Sequence, residues 1–120
     1  DLVFTASGNY FYTDTLRYAG TFGLQGRRLI SVSNSIARDE TLVLASGSSS
    51  PWDAVVYPSE YNRYTGSLLF ADGTVKLPVI EGKQSYGIKI WHSAEGHRFA
   101  LVQTGSSQQE LSVKYYVIQL

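Results

Sequence analysis

"GSLLFADGTVKLPVI" (residues 66–80) sets the reading of the whole chain. Its second half alternates apolar and polar residues, and Asp72-Gly73 stands between two runs rich in apolar side chains. Alternation with period two marks a half-buried β-strand, whereas a helix would repeat its apolar residues every three to four positions. Asp-Gly between two such runs is a strong hairpin signal, because a type I′ turn needs positive φ at both central positions. The expectation is a hairpin joining "SLLFA" to "TVKLPVI". Pro78 cannot donate to a ladder, so the far end of the second strand belongs at a sheet edge or a bulge.

The same grammar extends in both directions. "TLVLA" (41–45), "WDAVVYP" (52–58), "YGIKIW" (86–91) and "LSVKYYVIQL" (111–120) are rich in β-branched and aromatic residues. Such side chains suit a pleated surface. Turn residues punctuate them at Ser7-Gly8-Asn9, Glu81-Gly82, Glu95-Gly96 and Gly105-Ser106. No stretch offers a capped amphipathic helix; "SNSIARDETL" (33–42) reads as a loop or as one helical turn. Short strands at this spacing predict an all-β fold, a single-domain antiparallel β-sandwich or jelly-roll-like fold over residues 1–120. "ASGSSSPWD" (45–53) is the most flexible stretch on composition.

Composition narrows the function classes. The chain of 120 residues balances ten Lys and Arg against ten Asp and Glu. A nucleic-acid binder draws most of its non-specific affinity from a basic excess, so no nucleic acid is expected as a partner. With no cysteine, disulfides and thiolate chemistry are excluded. No apolar run reaches the ~18 residues of a membrane-spanning helix, so no membrane insertion is expected. No charged segment leads into an apolar one at the start of the chain, so no signal peptide is expected within these residues.

Few residues carry a pattern that chemistry would need. Gly20, Gly23 and Gly26 lack the Lys-Ser/Thr of a phosphate loop and the helix of a dinucleotide site. "SGSSSP" lacks the spacing of a nucleophile elbow. His92 and His97 flank Ser93-Ala94-Glu95-Gly96, which reads as a four-residue hairpin loop. Pairing through that loop sets His92 opposite His97, Trp91 opposite Arg98 and Ile90 opposite Phe99. Both histidines then share the core-side face, and Trp91 and Arg98 form an outer cation–π pair open to a partner. Two imidazoles fall short of the three or four ligands of a zinc site, so neither metal nor cofactor is expected. The chain reads as non-enzymatic.

The stretch "SPWDAVVYPSEYNRYTG" (50–66) interleaves Trp52, Tyr57, Tyr61 and Tyr64 with Asp53, Glu60, Asn62 and Arg63. Aromatic faces beside planar polar groups suit a carbohydrate, and the same residues are enriched at protein interfaces. A third reading leaves them as core and sheet paving. "VKYYVIQL" (113–120) is apolar on both faces, which predicts a central strand or one covered by another subunit.

"LVFTASGNYFYTDTLRY" (2–18), "YGIKIWHSAEG" (86–96) and "VKYYVIQL" resemble segments of small tail-tip or tail-fibre-associated proteins of tailed bacteriophages. The resemblance covers about a third of the chain, through short motifs. It implies a structural virion component, assembled in the host cytoplasm as a homo-oligomer or with other tail proteins, near the host-contact end. The alternative is an extracellular lectin-like β-sandwich module that binds a host-surface glycan.

Overall fold

The computed structural model describes residues 2–48, 55–105 and 113–120. Eleven strands and no helix make up the described residues: β1 (Leu2–Phe4), β2 (Asn9–Tyr12), β3 (Tyr18–Thr21), β4 (Leu29–Ser35), β5 (Glu40–Ala45), β6 (Glu60–Thr65), β7 (Phe70–Lys76), β8 (Val79–Ile80), β9 (Lys83–His92), β10 (Arg98–Thr104) and β11 (Lys114–Gln119). They form three sheets, ordered β1-β2-β3, β4-β5-β6-β7 and β11-β10-β9-β8. Every hydrogen-bonded strand pair is antiparallel. The all-β, sandwich-like fold expected from the alternation is present, with a small additional layer.

The middle sheet packs on both sides. Leu42 and Leu44 of β5 join Tyr61, Leu77, Ile90, Ala100 and Val102 in a core against the β8–β11 sheet. Val43 and Ala45, on the opposite face of β5, join Phe22, Leu24, Tyr64 and Leu69 beneath the β1–β3 sheet. Phe22 is the hub of this second core, with ring centroids 4.7 Å from Tyr64, 5.0 Å from Tyr10 and 5.7 Å from Phe4. A strand buried on both faces reads as a near-continuous apolar run. That is how "TLVLA" reads, and all six residues of β5 are buried.

The two larger sheets also meet at a side-chain junction. β4 and β9 run in the same direction without a backbone ladder between them. Ser31 Oγ accepts the Ile90 N–H at 3.0 Å and donates to the Ile90 carbonyl at 3.3 Å. Ser33 Oγ accepts the His92 N–H at 3.0 Å. β9 pairs with the two-residue β8 only at its start, so these serines satisfy an edge that would otherwise be bare.

Three sequence expectations need correction. Asp72-Gly73 is not a hairpin turn: β7 runs through it, and the reversal lies at residues 66–69. Asn62 pairs with Thr74 and Tyr64 with Ala71, so Asp72 and Gly73 together oppose Arg63 as a bulge. Positive φ at Gly73 (87°) serves a bulge as well as a turn, which is why the dipeptide misleads. Of the two readings of "VKYYVIQL", a central strand or one covered by another subunit, the first is overturned, because β11 lies at a sheet edge with Tyr116, Ile118 and Leu120 on the core. Pro78 does fall where the chain leaves β7 for the edge strand β8, as its missing N–H requires.

The third correction concerns the 89–99 hairpin. The Ser93 N–H donates to the His97 carbonyl at 2.8 Å and the Gly96 N–H to the Ser93 carbonyl at 3.0 Å. With Gly96 at φ 89°, the loop is Ala94-Glu95-Gly96, one residue shorter than expected. His92 therefore pairs with Arg98, Trp91 with Phe99 and Ile90 with Ala100. A one-residue slip turns every side chain of the returning strand to the other face.

Ser31→Ala tests the junction, since it leaves the buried Ile90 N–H without its acceptor. Urea unfolding should show a loss of ~1–3 kcal/mol. The exposed Ser67→Ala control should stay within about 0.5 kcal/mol of the parent.

Candidate functional site

The shortened loop turns Arg98 inward, onto a buried carboxylate. Glu40, at the start of β5, is 3% exposed. Arg98 grips it from both sides, Nε to Oε1 and Nη2 to Oε2, each at 2.7 Å. His92 Nε2 donates to Oε1 at 2.9 Å, and its Nδ1 shares a hydrogen with Ser33 Oγ at 2.7 Å. Arg63 Nη2 stands 3.8 Å from Oε2 and 3.4 Å from Asp72 Oδ2. The Arg63 Nε is buried and meets no acceptor among the described residues. Side chains from three strands, β6, β9 and β10, thus converge on one carboxylate of a fourth, β5.

The forked hydrogen bond from Arg98 lowers the Glu40 pKa to about 2, against desolvation, with help from His92. Arg98 is raised in turn, chiefly by its hydrogen bond to Glu40. A bidentate pair of this kind is strong because both partners are charged and the planar groups match. Just above the cluster, Arg38 Nε donates to the Gly96 carbonyl at 2.9 Å and ties the β9–β10 tip to the β4–β5 turn.

Ser33, His92 and Glu40 have the connectivity of a nucleophile, a base and an orienting acid. In a working triad the imidazole faces an open nucleophile and the acid serves the imidazole. Here the His92 side chain is 3% exposed, Glu40 is shared with Arg98, and Ser33 Oγ also accepts the His92 N–H. The groove described below takes in Asn34 and Ser35 but not Ser33. The arrangement works as a clamp between sheets. No three of His, Asp and Glu gather as metal ligands among the described residues.

The residues singled out in the sequence do not form one patch. Trp52 and Asp53 lie outside the described residues. Tyr61 and Tyr64 are core residues on opposite faces of β6, and burial pushes both phenols up. Arg63 shares the Tyr61 face and belongs to the clamp, while Asn62 lies on the Tyr64 face. Tyr57 is half-buried ahead of β6. The expected cation–π pair of Trp91 with Arg98 does not form. Trp91 instead stacks on Phe99, with centroids 6.0 Å apart and planes at 19°, and Lys89 Nζ lies 5.9 Å from the Trp91 ring. His92 points into the core side, as expected, but His97 is exposed on the hairpin tip.

Of two further surfaces, the sequence pointed to one through Trp91 alone and did not show the other. The outer face of the β8–β11 sheet carries half-buried Trp91, Phe99 and Leu101, with Tyr115 and Val117 63% and 66% exposed. The corrected register is what aligns these side chains: Trp91 pairs with Phe99 and Leu101 with Val117. The other surface is a groove of about 470 Å³ between the β1–β2 hairpin and the β4–β5 and β6–β7 turns. Leu2, Phe4, Tyr12, Ile36 and Leu69 line it, beside Asn34, Asp39 and Ser67. Asp39 and Leu69 hold positive φ, at 52° and 53°. The Gly66 N–H donates to the Asp39 carbonyl at 2.9 Å, stitching the two turns together.

Because the folded-state pKa of Glu40 is depressed, its contribution to stability is complete above pH 4.5. It fades as pH falls toward about 2. Melting temperatures taken from pH 6 to pH 2 should show Glu40→Gln destabilised at the upper end by ~3 kcal/mol or more, with the gap to the parent closing toward pH 2.

Comparison of the chain with protein-family models, with curated proteins and with solved structures finds no match.

Proposed function

We propose that the chain is a non-enzymatic structural and binding module whose working surface is the outer face of the β8–β11 sheet. One observation carries this reading: Trp91, Phe99, Leu101, Tyr115 and Val117 lie together on a sheet face that no described layer covers. Contiguous apolar surface of this kind marks protein contacts. Stacked aromatic side chains supply contact area at low entropic cost. The clamp at Glu40 supports the same reading, since it spends the chain's most concentrated polar groups on rigidity.

The setting we favour is a bacteriophage tail tip or tail fibre, where the module would serve assembly or host contact. It rests on the resemblance of residues 2–18, 86–96 and 113–120 alone. Oligomeric packing around a tail would give the outer face its covering.

The second reading, a glycan-binding module, has an observation of its own. Tyr12, 48% exposed, stands in the groove beside Asn34, Asp39 and Ser67. An aromatic ring with planar polar neighbours suits a sugar better there than Tyr61 and Tyr64 do in the two cores. On a glycan array this reading expects binding that Tyr12→Ala removes, and an array without hits ends it.

The main reading is tested in particles. The chain should co-sediment with a large assembly from its natural source, and the double variant Trp91→Ala, Phe99→Ala should stay free while keeping its thermal transition. A wild-type chain that sediments alone at 13.3 kDa, or a double variant that co-sediments as before, overturns it.

A further inference from the structure

The free edge of β11 points to a second copy of this chain, paired antiparallel with the same strand. This inference rests on reading the chain as an assembly module and names one partner of its outer sheet. The phase of the edge follows from one bond: the Leu120 N–H donates to the Arg98 carbonyl at 2.9 Å. Antiparallel ladders alternate, so Lys114, Tyr116 and Ile118 also bond to β10. Tyr115, Val117 and Gln119 then turn their N–H and C=O groups away from the sheet. No described strand meets them.

The remaining edges are blunted. β8 has two residues and follows Pro78; β1 has three and β3 four. β7 carries the Asp72-Gly73 bulge and ends at Lys76, and β4 is closed by its serines against β9. β11 is six residues long, unbroken and apolar apart from Lys114 and Gln119. Unbroken apolar edges of this kind are normally suppressed in a chain that stays single.

A copy of the same strand fits that edge. With a two-fold axis through Val117, Tyr115 meets the partner's Gln119, and Val117 meets the partner's Val117. All these positions present free backbone groups, so the pairing makes about six ladder bonds. Tyr116 falls opposite the partner's Ile118 on the core face. Lys114 falls opposite the partner's Leu120, so no like charges face each other. The net charge of zero adds no repulsion between copies. The joined sheet has eight strands, and the outer faces of Trp91, Phe99, Leu101 and Val117 merge across the axis.

Sedimentation equilibrium should give twice the 13.3 kDa chain mass. Val117→Pro removes an outward N–H, and Val117→Asp sets two carboxylates across the axis; each should return the mass to that of one chain with the far-UV spectrum unchanged. The chain has no cysteine, so single replacements are clean probes. Hydrogen-bonded antiparallel partners lie ~5.5 Å apart at Cα, within disulfide range. Val117→Cys should therefore oxidise to a linked dimer, and Leu68→Cys, equally open on the β6–β7 turn, should lag well behind. A wild-type monomer, a Val117→Asp dimer, or equal cross-linking at both sites overturns the inference. If the wild type is a monomer yet the Trp91 and Phe99 double variant still loses its assembly, the edge inference alone has failed.

Discussion

Glu40 begins a strand that is buried on both faces, and a carboxylate in that position must be surrounded by donors. Arg98, His92 and, at longer range, Arg63 supply them from three strands. Removing one partner from such a group leaves an uncompensated charge, which costs about 3–5 kcal/mol. The position of the β9–β10 hairpin, the inward turn of Arg98 and the bulge opposite Arg63 all answer to that requirement. The aromatic outer face follows from it too. A hairpin register that sends Arg98 in must send Trp91 and Phe99 out.

The serines of β4 show the same economy on a smaller scale. Ser31 and Ser33 are small enough to admit β9 closely, and polar enough to satisfy its backbone. A larger apolar residue at either position would hold the sheets apart and strand the N–H groups it displaced from water. Apolar layering brings the sheets together, while these hydroxyls and the Glu40 clamp fix how they are aligned.

Most of the expected strands were legible, because period-two patterning and β-branched content are local properties, but the described residues 55–58 of "WDAVVYP" form no strand. "TLVLA", "YGIKIW" and "VKYYVIQL" all became strands. What was not legible turned on single residues or on distant ones. Asp72-Gly73 satisfies a turn and a bulge with the same positive φ, and the 92–98 connection differs from the expected four-residue loop by one residue. Tyr61 and Tyr64 invite reading as a surface cluster, yet alternation along β6 sends them into separate cores. Arg98 reads as an outer partner of Trp91 because the carboxylate it actually binds lies 58 residues away. The groove drew on β1, β2 and two turns, so no single stretch announced it.

The Ser31–Ile90 junction also bears on the order in which the chain folds. Its groups are separated by 59 residues, and those of the Glu40–Arg98 clamp by 58. Closing loops of this length is entropically costly before any contact rewards it. Sheet proteins dominated by such distant pairings fold in milliseconds to seconds. On a ribosome, the half of the molecule ending near β7 would emerge with Leu42 and Leu44 open to water until β9 and β10 arrive to cover them. One face of the strand most deeply buried in the finished protein is therefore left open while the rest of the chain is being made.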